Sequence, residues 1–167
     1  MARALNAVYV GVLNALAALA ALVIALTALL ITVNVILRAF SVYSLFGLFD
    51  AIEYALMAAT FLAAPWVLAK NAHVTVDIGL LALPPAARRR VARAGNLFAA
   101  LLAVIFFWFA LEATLASFAR GSMVRTSFVF PEWWALAVMP VAMLLMAIEF
   151  VLRYLRGVDP DRMGAGL

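Results

Sequence analysis

The chain reads as four long apolar blocks joined by short polar connections, and most of the blocks show no amphipathic stripe. A helix that is hydrophobic on every side needs lipid or protein all round it, so the pattern predicts membrane spans rather than the surface helices of a soluble domain. The first block runs from Ala7 to Leu37, interrupted only by small or polar residues such as Gly11, Asn14, Thr27, Thr32 and Asn34. That is too long for the core of a signal peptide, about 7–15 residues, and it reads as a retained first span. As a helix it would be about 46 Å long against a hydrocarbon core of roughly 30 Å, so it should tilt or project. The second block, about 50–69, has Asp50 and Glu53 in its first turn, Lys70 just past its end and Pro65 placed to kink its last turn. The third, about 95–118, contains the bulky run Phe106, Phe107, Trp108 and Phe109. The fourth opens on Pro131 and Glu132, sets Trp133 and Trp134 at the level where aromatic rings favour the interface, and reaches about Leu152 through a kink at Pro140.

An even number of spans puts both termini on one side, and the cations choose the side. Arg3, Lys70, Arg88, Arg89, Arg90, Arg93, Arg153, Arg156 and Arg162 fall on the side of the termini and the connection between spans two and three. Only Arg38, Arg120 and Arg125 fall opposite. This asymmetry predicts cytoplasmic termini. The expected fold is an all-α integral membrane protein, a single domain over residues 1–167, with four transmembrane helices at about 7–37, 50–69, 95–118 and 131–152.

The segment 71–94 is the most structured-looking connection and is expected at the cytoplasmic surface as an interfacial amphipathic element. Val74, Ile78 and Leu81 fit a helical face, while Val74, Val76 and Ile78 fit strand alternation, so periodicity leaves both open. Pro84 and Pro85 break it, and Ala86 to Arg93 then reads as a short basic helix held by anionic headgroups. His73 and Asp77 are four apart; a local hydrogen bond that orders the loop accounts for them more simply than a pH switch.

Composition sharpens the class. Of 167 residues, 69% are hydrophobic and 12% charged, half the charged share of an ordinary soluble domain, which excludes a soluble enzyme. The net charge of +4 does not point to nucleic acid, because the cations sit at block ends rather than on one face. Cysteine is absent and His73 is the one histidine, so neither a Cys-ligated metal nor a haem held by paired histidines is expected; catalytic, cofactor and metal sites are all read as none.

The informative residues are charges inside apolar blocks. Glu112 lies about 12 Å of helix inside Arg120, where a bare carboxylate is costly and needs a partner or a proton. Arg38, Asn34 and Glu53 are expected in the same outward half, which makes an Arg38 pairing with Glu53 or Glu112 geometrically reasonable. Glu112 then reads either as an ion carrier or as a buried pair that fixes register or docks another subunit. A lone acid without a second carboxylate or polar pathway favours the latter. Glu149 and Arg153, four apart, read as a structural pair at the cytoplasmic end of the last span.

Three features together resemble the small membrane subunit, the Q or DctQ component, of tripartite ATP-independent periplasmic (TRAP) transporters. Arg38 ends span one ahead of the acids Asp50 and Glu53. The stretch Lys70, Asn71, Ala72, His73, Val74, Thr75, Val76, Asp77 is similar to the family's basic residue, small turn, then His, β-branched residue, any residue, Val, Asp; the family commonly has Gly in the turn where Asn71 and Ala72 stand. Thr126 and Pro131 open the last span, more loosely spaced than usual, and Pro140 lies within it.

The resemblance implies a scaffold rather than a catalyst. A periplasmic substrate-binding protein would deliver an organic anion, such as a C4-dicarboxylate or a sialic acid-like carboxylate, to a large membrane subunit that moves it inward on a sodium gradient. The small subunit would pack on the large one in a bacterial or archaeal inner membrane and help dock the binding protein. The resemblance marks Arg38, Glu53, His73 and Asp77 as structural or subunit-interface positions; Glu112 and Trp108 join them on physical grounds. Arg120 and Arg125 make the outward segment 119–130 positive, a candidate dock for an acidic surface, with 39–49 as the other outward segment. The rival readings are a self-sufficient small proton-coupled exporter using Glu112 and, disfavoured by the histidine count, a respiratory accessory subunit.

Overall fold

The computed structural model describes residues 2–40, 47–70 and 84–156. In chain order it contains α1 (Ala2–Ala39), α2 (Leu48–Ala69), α3 (Pro85–Arg120), a hairpin of β1 (Met123–Arg125) and β2 (Val129–Pro131), a short α4 (Glu132–Leu136) and α5 (Val138–Arg156). Four stretches, Asn6–Ala39, Leu48–Ala69, Ala86–Arg120 and Glu132–Leu155, are long and apolar enough to cross a membrane. Residues 71–83, including His73 and Asp77, and most of the outward segment 39–49 lie outside the described residues.

One boundary differs from the sequence reading. The basic residues 86–93 do not form a separate helix but are the first turns of α3, which starts with Pro85 at its first position and runs unbroken for 36 residues. Gly95 lies inside it; a single interior glycine costs only about 1 kcal/mol, too little to interrupt a helix of that length. At about 54 Å, α3 is longer than the hydrocarbon core, so one end must project or the helix must tilt. The last span is interrupted at Ala137, in the turn before Pro140. Pro140 has no N–H for the Leu136 carbonyl, and its ring crowds that carbonyl, so the disruption appears in the preceding turn. Pro65, by contrast, is fully buried in α2, which continues to Ala69.

Spatial order departs from chain order. The substantial packing is α1 on α2, α2 on α5 and α5 on α3, so the last span inserts between the second and third. The helices stand in the row α1, α2, α5, α3 rather than as a closed square. Leu13, Ala20, Thr27 and Asn34, each a heptad apart, form the buried line of α1. On α3 the buried line is Ala100, Ala103, Ala110, Thr114 and Ser117, all small. Small side chains let helix backbones approach closely, which is how spans pack where lipid is as apolar as the partner. The two threonines in these lines are satisfied within their own helices: Thr27 Oγ1 donates to the Ile24 carbonyl at 2.8 Å and Thr114 Oγ1 to the Ala110 carbonyl at 2.7 Å.

The segment after α3, part of the outward segment 119–130 for which the sequence offers no element, is a hairpin. Gly121 at φ 62 stops α3, with the Gly121 amide donating to the Phe118 carbonyl and the Ser122 amide to the Ser117 carbonyl, the paired bonds of a Schellman ending. The strands then pair antiparallel, Val124 opposite Phe130. Their half-buried side meets α2, where Phe130 stacks edge-on against Tyr54 at 5.1 Å between ring centres. Gly47, at φ 77, lies under the turn: a Cβ there would stand 2.6 Å from Ser127 Cβ and 2.9 Å from the Phe128 ring.

Two measurements follow from these contacts. Ala110→Leu should overfill the seam between α3 and α5 and lower the detergent-solubilised thermal midpoint by an amount equivalent to about 1–3 kcal/mol, whereas Val104→Leu on the exposed side should leave it within error. Gly47→Ala should destabilise more than Gly121→Ala: both lose a positive-φ glycine, costing about 1 kcal/mol, but only the first also collides with the hairpin. Equal midpoints for the two glycine variants would show that the turn does not rest on Gly47.

Candidate functional site

Polar groups gather at the two ends of the row. At the end that carries the described termini, Glu149 of α5 is buried, and each of its oxygens has a partner. The Tyr9 hydroxyl of α1 lies 3.1 Å from Glu149 Oε2 and 3.3 Å from the Leu145 carbonyl, and Arg153 Nε lies 3.5 Å from Glu149 Oε1. Arg153 Nη2 also donates to the Leu68 carbonyl in the last turn of α2. That contact brings a cation to a helix end whose carbonyls lack intrahelical donors. Asn14 Oδ1 accepts from Trp66 Nε1 at 2.9 Å, and Lys70 lies over the Trp66 ring at 5.8 Å. Each pair among α1, α2 and α5 is therefore joined by at least one side-chain hydrogen bond at this end.

At the opposite end the ties hold the hairpin. Asp50, in the first turn of α2, accepts from the Ser127 backbone amide at 2.9 Å. Ser117, fully buried at the end of α3, donates to Glu132 Oε2 at 2.8 Å, and the Glu132 amide donates to the Ser122 carbonyl at 3.0 Å. Trp133 packs edge-on between Phe118 and Trp134, with centroid distances of 5.6 and 6.0 Å. The outer side of the hairpin is left bare: Met123, Arg125, Phe128 and Val129 are exposed, as is Arg120 just before it.

The anticipated site residues are not brought together. Arg38, Glu53, Glu112 and Trp108 are each exposed, and no ion pair joins Arg38 to Glu53 or Glu112 among the described residues. The row explains the larger separation. Arg38 is on α1 and Glu112 on α3, the two outer helices of the row, with α2 and α5 between them at about 8–10 Å per helix. Of the two acids that open α2, it is Asp50 that makes a tertiary contact. Tyr9, Asn14, Trp66 and Ser117, which hold the ends together, were not singled out, because a lone polar residue in an apolar block carries no sign of its partner. The pair Glu149 and Arg153 was legible from its spacing.

Among the described residues no group of three His, Cys, Asp or Glu is placed to hold a metal ion. What the arrangement offers is structural: internal ties at both ends, a bare hairpin, and broad helix faces without cover. The model of the family described as Tripartite ATP-independent periplasmic transporters, DctQ component, matches residues 27–159. No curated protein matches the chain. The matched stretch takes in Arg38, the opening of α2, the segment 70–77, the hairpin and both prolines of the last span. That family is one of transport components, not a known family of enzymes. With four helices of membrane-spanning length and a family match over most of its residues, the chain belongs to the DctQ family and is a multi-pass small (Q) subunit of a TRAP transporter.

Proposed function

We propose that this chain is a scaffold: it packs on a large transport subunit in the inner membrane and helps dock a periplasmic substrate-binding protein during sodium-driven uptake of an organic anion. The observation that carries the reading is the open row of helices. A closed bundle would cover its own seams, but here bulky apolar residues on α1 and α3 face outward along most of both helices while the buried acid Glu149 is tied internally. Such faces suit a larger membrane partner, and substrate and sodium then belong to that partner.

Orientation follows from the cations. The end bearing Tyr9, Lys70, Arg88 to Arg90 and Arg153 is the positive one, and we assign it to the cytoplasm, with both termini there. The hairpin then faces the periplasm. Its bare side, with Arg120 and Arg125 beside Met123, Phe128 and Val129, suits an acidic, partly apolar surface of a binding protein.

A mild-detergent pull-down of the tagged chain from its native membrane should recover one large membrane protein of about ten or more spans in stoichiometric amount. Recovery of this chain alone, as a homodimer that transports in liposomes, would replace the scaffold with a small proton-coupled exporter. In the reconstituted transporter, Arg120→Glu with Arg125→Glu should cut binding-protein-dependent uptake about tenfold at low salt, with a smaller deficit at high salt, because rim charges act through steering. Unchanged uptake at both salt concentrations would move the dock away from the hairpin.

A further inference from the structure

One side of α3 is covered and the opposite side is bare. Ala100, Ala103, Ala110, Thr114 and Ser117 lie buried in the seam with α5. Phe98, Leu101, Ile105, Trp108 and Leu115 follow one another at steps of three, four, three and seven residues and are all exposed, Trp108 by 65%. Glu112 falls in phase with this stripe, between Trp108 and Leu115, and is exposed too. At 3.6 residues per turn it points about 160° away from both Ala110 and Thr114, so it faces directly out of the row. The substantial packing of α3 is with α4 and α5 only. Glu112 has no hydrogen bond or ion pair among the described residues.

The position is awkward for lipid. Glu112 lies about 12 Å of helix from Arg120, well inside the apolar block, too far for its short side chain to reach the headgroups. An acid at that depth ordinarily faces a bundle interior and pairs with a cation or another donor. A second copy of this chain docked by the same face would bring two carboxylates together, which disfavours ionisation of both rather than relieving either.

We infer that the outer face of α3 receives a transmembrane helix of the large subunit, and that this helix places an arginine or lysine against Glu112. The stripe on α3 is bulky, so the facing helix presents small residues that accept Phe98, Trp108 and Leu115 as knobs. Glu112 sets the register of the two helices, because any slip of one turn would leave carboxylate and cation both unpaired in a medium of low dielectric. The inference rests on the scaffold reading and adds to it the face and the chemistry of the contact.

The test uses the whole transporter, expressed with its partner subunits. A photoreactive benzoylphenylalanine in place of Trp108 should form an adduct with the large subunit on irradiation, with an arginine or lysine of that subunit within one helical turn of the crosslinked site. Glu112→Leu should lower both adduct yield and recovery of the large subunit about tenfold or more, while Glu112→Gln, which keeps a hydrogen-bonding group, should retain an intermediate share. The isolated Glu112→Leu chain should still insert and should melt at the same or a higher temperature, since it loses only a charge that has no partner among the described residues. If the large subunit co-purifies but the Trp108 position crosslinks only to a second copy or to nothing, or if Glu112→Leu binds as well as the unaltered chain, the inference is wrong while the scaffold reading stands. If no large subunit accompanies the unaltered chain, both fall together.

Discussion

Helices that are apolar all round gain little in lipid by touching, because hydrocarbon is as good a neighbour as leucine. Everything specific about this fold depends on that constraint. Order must come from shape, where small residues let backbones close up, and from the few polar groups that find no substitute partner in lipid. The seam of Ala100, Ala103, Ala110, Thr114 and Ser117 does the first, fixing which side of α3 meets α5. The buried Glu149 does the second, since its carboxylate needs both Tyr9 and Arg153 to be tolerated where it lies.

The two ends of the row use polar contacts differently. At the end of the termini they join helix to helix: α1 to α5 through Tyr9, α2 to α5 through Arg153 and α1 to α2 through Asn14 and Trp66. At the other end they join helices to a hairpin, with Asp50 holding the turn at Ser127 and Ser117 holding Glu132. The middle of the row is left to small-residue packing and hydroxyls bonded to their own helices. A structure braced at its ends and smooth between them can present long unbroken faces to a membrane partner without opening itself.

Glu112 stands outside both sets of ties. All the buried acid in the described helices is accounted for by contacts within the chain, whereas this carboxylate is carried outward on a bulky apolar face. Its position divides the chemistry of the described helices in two: groups that complete the fold, and a group for which we propose a partner on another chain.

The sequence by itself determined the class, the four spans and the Glu149–Arg153 pair, because block hydrophobicity and helical spacing are local properties that lipid reads directly. Its motifs, from Arg38 through the residues around His73 to Pro140, also carried the family, which the match over residues 27–159 establishes. Only the tertiary structure decided that the fourth span lies between the second and third, that the basic turns continue into α3, and that the segment before α4 is a hairpin pinned by Asp50 and cleared by Gly47. It also decided that Arg38 and Glu112 lie on opposite edges rather than as a pair. These are questions of which helix is whose neighbour. An apolar block carries almost no record of the answer, since any of its sides satisfies lipid, and the choice emerges only when small seams and buried polar groups are matched across the whole chain.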